Sequence, residues 1–141
     1  MDFNRWKELA VKEAKRRNLT DYELYYVEEE MAKIVQICRE SNVISKVIFE
    51  NCYLTDPEKE EMCRIALNVR PDYIKTSTGF GTGGATREDV ALFAKHVGPD
   101  VKIKAAGGIA DLKDAEDFIN LGASRLGTSR IVKAVKAMEE K

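Results

Sequence analysis

Two lysines stand in settings suited to carbonyl chemistry. Lys75 follows the apolar pair Tyr73-Ile74 and leads into Thr76-Ser77-Thr78-Gly79-Phe80-Gly81-Thr82-Gly83-Gly84, hydroxyls and then four glycines within six positions. Lys104 lies in Val101-Lys102-Ile103-Lys104-Ala105-Ala106 and is followed by Gly107-Gly108. Each reads as the C-terminal end of a strand that opens into a loop made for close backbone approach. Taken singly, a lysine is most often a hydrated surface charge. In a buried parallel strand its charged form is disfavoured, and a second ammonium on the next strand disfavours it further. A neutral amine produced this way can attack a carbonyl and form a Schiff base. Lys75 and Lys104 are therefore the expected nucleophilic pair; the plainer alternative is two surface lysines at the open end of a sheet.

A second group of residues suits an anion. Gly107-Gly108 and Gly127-Thr128-Ser129 each precede a helix, where free backbone N–H groups beside hydroxyls favour phosphate. One such glycine pair reads as turn chemistry. Two, on the last two units of a barrel-like chain, favour phosphate. No cofactor or metal is expected. His96 falls on a helix with no partner ligand nearby. Cys38, Cys52 and Cys63 are odd in number, lack CxxC spacing and read as reduced thiols, with Cys52 just after a strand and so the one that could lie near a ligand.

These groups need elements to hold them. Residues 2–17 place Phe3, Trp6, Ala10 and Ala14 at helical spacing. Thr20 and Glu23 form a capping box for a second helix to Glu40, with Leu24, Val27, Met31, Ile34, Val35 and Cys38 on its apolar face. A strand is expected at Lys46–Glu50, then a helix opened by Thr55-Asp56-Pro57-Glu58 that buries Met62, Ile65, Ala66 and Val69. A strand from Tyr73 to Ser77 follows. The next helix starts at Thr86, with Asp89 completing a capping box, and buries Val90, Phe93, Ala94 and Val97. The third strand is 101–106. Asp111 caps a helix that buries Leu112, Ala115, Phe118 and Ile119 and ends at Gly122. The fourth strand is 123–126, and the last helix turns Ile131, Val132, Val135 and Met138 inward. Strand–helix units of 25–30 residues imply a parallel sheet with ligand-bearing loops on one side. The expected architecture is α/β: a parallel four-stranded (βα)4 half of a TIM barrel preceded by two N-terminal helices, in one domain (1–42 helical, 43–141 four βα units).

At 141 residues, with 44% hydrophobic and 33% charged side chains, the chain is long enough for a core and too apolar for disorder. A net charge of −1 gives no basic surface for nucleic acid. No apolar run reaches the length of a membrane span and no leader pattern opens the chain, so a cytoplasmic setting is expected.

Residues 74–86, 104–109 and 125–129 resemble the loop motifs of deoxyribose-phosphate aldolase, as do 46–50 and 53–55; the resemblance runs from about Tyr22 to Ile131. It implies a class I aldolase on a (β/α)8 barrel, a lyase that cleaves 2-deoxy-D-ribose 5-phosphate to glyceraldehyde 3-phosphate and acetaldehyde without a metal. It makes Lys75 the Schiff-base lysine and Lys104 the second lysine that perturbs it and assists proton transfer. Thr78, Gly79, Gly107, Gly108, Gly127 and Ser129 would surround the sugar phosphate. A whole barrel takes about 250 residues. The family's first four strands, with an aspartate of its proton relay, are thus expected to have no counterpart. Glu50 is the carboxylate left near a strand end, as a stand-in or as a partner of Lys46. Lys102 shares a face with Lys104, which is costly in a closed core but not in an open half barrel. An open sheet leaves two bare edges, so a homodimer completing the barrel is expected. The rival reading is a catalytically inactive phosphosugar-binding half barrel, or a truncated fragment.

Overall fold

The computed structural model describes residues 21–140. The helix expected over 2–17, and Thr20 of the first capping box, lie outside them. The element order is α1 (Asp21–Glu40), β1 (Lys46–Ile48), a single 3-10 turn (Asn51–Tyr53), α2 (Asp56–Val69), β2 (Tyr73–Lys75), α3 (Arg87–Val97), β3 (Lys102–Ala106), α4 (Leu112–Leu121), β4 (Arg125–Gly127) and α5 (Val132–Glu139). The four strands form one sheet in the order β1-β2-β3-β4, every pair parallel. The regular strands are shorter than expected, but pairing continues past them: Phe49 N–H donates to the Lys75 carbonyl at 2.9 Å and Asn51 N–H to that of Thr76 at 2.9 Å.

Period-two alternation decides what each strand turns outward toward the helices. Phe49, Ile74, Ile103 and Ala105 are buried there among Met62, Ile65, Ala66, Val90, Phe93, Val97, Ala115 and Phe118. Phe93 is fully buried and meets Phe49 edge to face, ring centres 5.3 Å apart.

The helix starts follow their sequence signals. Thr55 and Glu58 make a reciprocal capping box, and Asp111 Oδ1 accepts the Asp114 N–H at 2.8 Å. At Thr86 only half a box forms. Thr86 accepts the Asp89 N–H, but the Asp89 carboxylate turns inward, to Lys59 Nζ at 2.7 Å and Asn51 Nδ2 at 3.1 Å. A half-buried cation and a buried amide outcompete the exposed backbone donor. Burial alone would lower the Lys59 pKa; the hydrogen bond and charge of Asp89, aided by Asp56, turn the shift upward.

Several expected core positions are exposed instead: Ile34 on α1, Leu112 and Ile119 on α4, and Val132, Val135 and Met138 on α5. Val69 and Ala94 are only half-buried. A helix buries only the stripe that has a neighbour. Among the described residues no further βα unit packs on α5, and only Ile131, at its N-cap, leans on the core.

Cys63 is buried, and burial, with the nearby Glu60 charge, pushes its thiol pKa up to about 12. It is expected to stay unmodified when the native protein is treated with iodoacetamide, while half-buried Cys38 and Cys52 react. Peptide mass mapping before and after unfolding checks this.

Candidate active site

The inner face of the sheet carries the charged residues. Register sets Lys46, Tyr73 and Lys102 in one row, and Ile48, Lys75, Lys104 and Arg125 in the next. Lys75 and Lys104 are direct partners on adjacent parallel strands, so both amines leave the same face. Both are half-buried, whereas Lys46, Lys102 and Arg125 are exposed. Tyr73 is buried at the centre, with Arg125, Lys102 and Lys46 placed 5.0, 5.7 and 6.0 Å from its ring centre. Among the described residues none of these five cations is in an ion pair.

The consequence falls on Lys104. Burial, then the charges of Lys75, Lys46 and Arg125, hold its pKa below the ordinary lysine value. Lys104 is thus easier to deprotonate than an ordinary lysine. Arg125 contributes to this and was not singled out as a site residue from sequence. Its signal was its place in the fourth strand, two positions before the Gly127-Thr128-Ser129 loop.

The loops are fastened above the lysines by main chain. Thr76 Oγ1 is buried, donates to the Ala106 carbonyl at 3.2 Å and accepts the Ala106 N–H at 3.1 Å. Ala85 N–H reaches the Ala106 carbonyl at 3.0 Å. A Cβ on Gly84 would stand 2.6 Å from the carbonyl carbon of Gly107. Gly84→Ala must therefore move one backbone off the other. It is expected to cost about 1–3 kcal/mol, visible as a lower Tm.

Gly107, Gly108, Gly127 and Ser129 come together in the structure. With Ile109, Thr128 and Arg130 they line a hollow of about 200 Å³. Gly107 and Gly108 both take positive φ, 78° and 72°, a conformation glycine adopts without steric cost. Thr128 Oγ1 donates to the Ile109 carbonyl at 3.0 Å and accepts the Arg130 N–H at 3.2 Å, closing the turn. A Cβ on Gly127 would lie 3.3 Å from Lys104 Cε, so the stem of the second lysine passes beside Gly127, one of the residues of the hollow. Arg130 adds a cation that the sequence reading passed over.

Thr78 and Gly79 do not line that hollow. They lie exposed in the β2–α3 loop, nearer β1. There Glu50, in the left-handed region (φ 38°), accepts the Thr78 N–H at 3.2 Å and the Thr78 hydroxyl. Glu50 thus holds the loop rather than pairing with Lys46. Among the described residues no cluster of His, Cys, Asp and Glu is arranged to hold a metal, and no helix is long and apolar enough to cross a membrane.

Fold and site together define half of a TIM barrel with a lysine pair on its inner face beside a glycine-lined hollow. Comparison with known proteins gives this half barrel a family context. No family model matches the chain. It is 57% identical over 122 residues to a deoxyribose-phosphate aldolase of Streptococcus pyogenes, covering 84% of this chain and 54% of that protein. It is 55% identical over 113 residues to one of Clostridium botulinum, covering 80% and 50%. Among solved structures, an aldolase designated QR15 superposes with a TM-score of 0.74 at 36% identity, covering 84% of this chain and 53% of that one. The tetrameric deoxyribose phosphate aldolase of Aeropyrum pernix gives 0.73 at 29%, covering 82% and 50%. The chain resembles deoxyribose-phosphate aldolase in sequence and fold, and spans about half the length of the curated relatives it matches.

Proposed function

We propose that this chain carries the Schiff-base half of a deoxyribose-phosphate aldolase-like lyase. The observation that supports it most is the direct register of Lys75 with Lys104, with the Lys104 stem beside Gly127. In the proposed reaction the neutral Lys75 amine adds to C1 of open-chain 2-deoxy-D-ribose 5-phosphate, and water leaves to give a protonated imine. The C3 hydroxyl gives up its proton, the C2–C3 bond breaks, and its electrons pass into the imine as an enamine. Glyceraldehyde 3-phosphate departs. The enamine takes a proton at C2, and water releases acetaldehyde and restores the amine.

Lys104, the amine with the depressed pKa, is the proposed proton carrier between these steps. The backbone N–H groups around Gly107, Gly108 and Gly127, with Ser129 and Arg130, are proposed to hold the 5-phosphate. Thr78 and Gly79 are proposed to border the sugar from the β2–α3 side.

Borohydride trapping with acetaldehyde tests the scheme. A reduced adduct is expected on Lys75. An adduct mapped to Lys104 would exchange the roles of the two lysines. Phosphate binding with no adduct on either would favour an inactive phosphosugar-binding half barrel, the reading that the partial coverage of the relatives keeps in play.

The proposed assembly is a homodimer. β1 and β4 are the two edges of the sheet, and a second copy can offer β4 to β1 and β1 to β4 in parallel. Closure brings two strongly cationic faces together, so dimerisation is expected to strengthen when inorganic phosphate is present. Sedimentation with and without phosphate measures this; a monomer under both conditions would count against it. Three free cysteines suit a reducing, cytoplasmic setting.

A further inference from the structure

Three cations of the inner face have no part in the proposed reaction. Lys46 Nζ, Lys102 Nζ and the Arg125 guanidinium carbon stand 6.0, 5.7 and 5.0 Å from the centre of the Tyr73 ring. They come from β1, β3 and β4 and converge on a residue of β2. The negative face of the ring helps to draw them together. The ring has no net charge, however, and leaves three full positive charges uncompensated.

The carboxylates nearest to them in the chain are engaged elsewhere. Asp72 accepts the Ser45 N–H at 2.9 Å and the Ser45 hydroxyl at 3.2 Å. Glu50 holds Thr78, and Asp100 pairs with Arg70 at 3.2 Å. The field of the cluster reaches beyond it, since Lys46 and Arg125 are among the charges that hold down the Lys104 pKa.

We propose that Lys46, Lys102 and Arg125, with Tyr73 as the floor, form a binding site for a free phosphate dianion, separate from the glycine hollow. Charge complementarity singles out this occupant. Three like charges around one point repel one another, and a doubly charged ion set against the ring attracts all three at once. Convergence on a single ring, rather than a stripe along the face, suits a small ion and not a polymer that spaces its phosphates along its length. None of the four residues lines the hollow. Lys102 lies about 16 Å along the strand from Gly107. The site does not depend on the aldol reaction. It also occupies neither edge of the sheet, so β1 and β4 stay free to pair with a second copy.

Calorimetric titration of inorganic phosphate into the whole protein, at fixed ionic strength in a buffer free of oxyanions, tests the number of sites. Two binding events per chain are expected. Lys102→Gln, at an exposed position, should weaken one of them about tenfold or more and leave the other within about twofold. Arg130→Gln should weaken the other event instead. An Arg130→Gln variant that binds phosphate as before would count against the hollow and not against this site. Circular dichroism of each variant confirms that it is folded.

Amine labelling resolved by residue tests the position. At a dilution where sedimentation shows the monomer, phosphate should slow acylation of Lys46 and Lys102 about threefold or more. Lys133 and Lys136, exposed on α5, should be unaffected. Equal slowing at all four lysines means charge screening alone and overturns the proposal. So does equal protection by chloride at the same ionic strength, or phosphate binding indifferent to Lys102→Gln. Protection confined to conditions where sedimentation shows the dimer assigns these cations to a second copy, and equally overturns it.

Discussion

Replacement of Lys75 by methionine is expected to abolish borohydride trapping of acetaldehyde and any turnover of 2-deoxy-D-ribose 5-phosphate, while leaving the melting temperature nearly unchanged. Methionine keeps an unbranched stem against the sheet and removes only the amine, so packing around the half-buried position is retained. Covalent catalysis has no substitute for the missing nucleophile. The same substitution has a second, independent readout. Lys75 is one of the charges that hold down the Lys104 pKa. With it gone, the Lys104 pKa is expected to move back toward the ordinary value of about 10.4. The fraction of neutral Lys104 at a given pH should fall, because a group with a higher pKa keeps its proton longer. Amine-selective labelling across pH, read at Lys104, would show the midpoint moving upward. An unmoved midpoint would mean that the two amines do not sense each other, and the proposed proton transfer would lose its basis.

The second large effect concerns the fold. Phe93→Ala is expected to destabilise the domain by about 3–5 kcal/mol, through lost burial and an unfilled cavity. Phe93 is fully enclosed between the sheet and the helices, and its edge-to-face contact with Phe49 ties α3 to the end of β1. Ordinary domains have about 5–15 kcal/mol in total. A sheet with two open edges belongs near the low end, so this variant is expected to be largely unfolded at room temperature or to melt about 10 °C lower or more. Urea titration followed by circular dichroism separates the two. A shift under about 1 kcal/mol would mean that the core is already loosely packed.

The order of elements was legible in the chain because each boundary has a chemical marker. Thr55-Asp56-Pro57 opens α2, Asp111 opens α4 and Gly122 closes it, and all three act as their side chains predict. The lysine pair was legible because strand ends followed by glycine mark ligand loops. What escaped were matters of neighbourhood. Helical periodicity shows that Ile119, Val132 and Met138 form apolar stripes, but it cannot show whether anything lies against them; here all three remain about half exposed or more. Asp89 fits a capping box by spacing. Its turn toward Lys59 and Asn51 depends on side chains 30 and 38 positions away. Glu50 was weighed against Lys46 on strand alternation, yet a left-handed backbone at Glu50 aims it at Thr78. The hollow's Arg130 is ordinary by composition and acquires significance only when the β3–α4 and β4–α5 loops meet.

The contact between Gly84 and Gly107 carries a lesson about inheritance. Two main chains touch there with no side chain between them, so a side chain added at either position pushes the other backbone away. Genetic exchange that imported one loop from a distant relative would have to import its counterpart as well. Stretch 73–108 is therefore expected to travel through descent as a single cassette, and viable chimaeras should have their crossovers outside it.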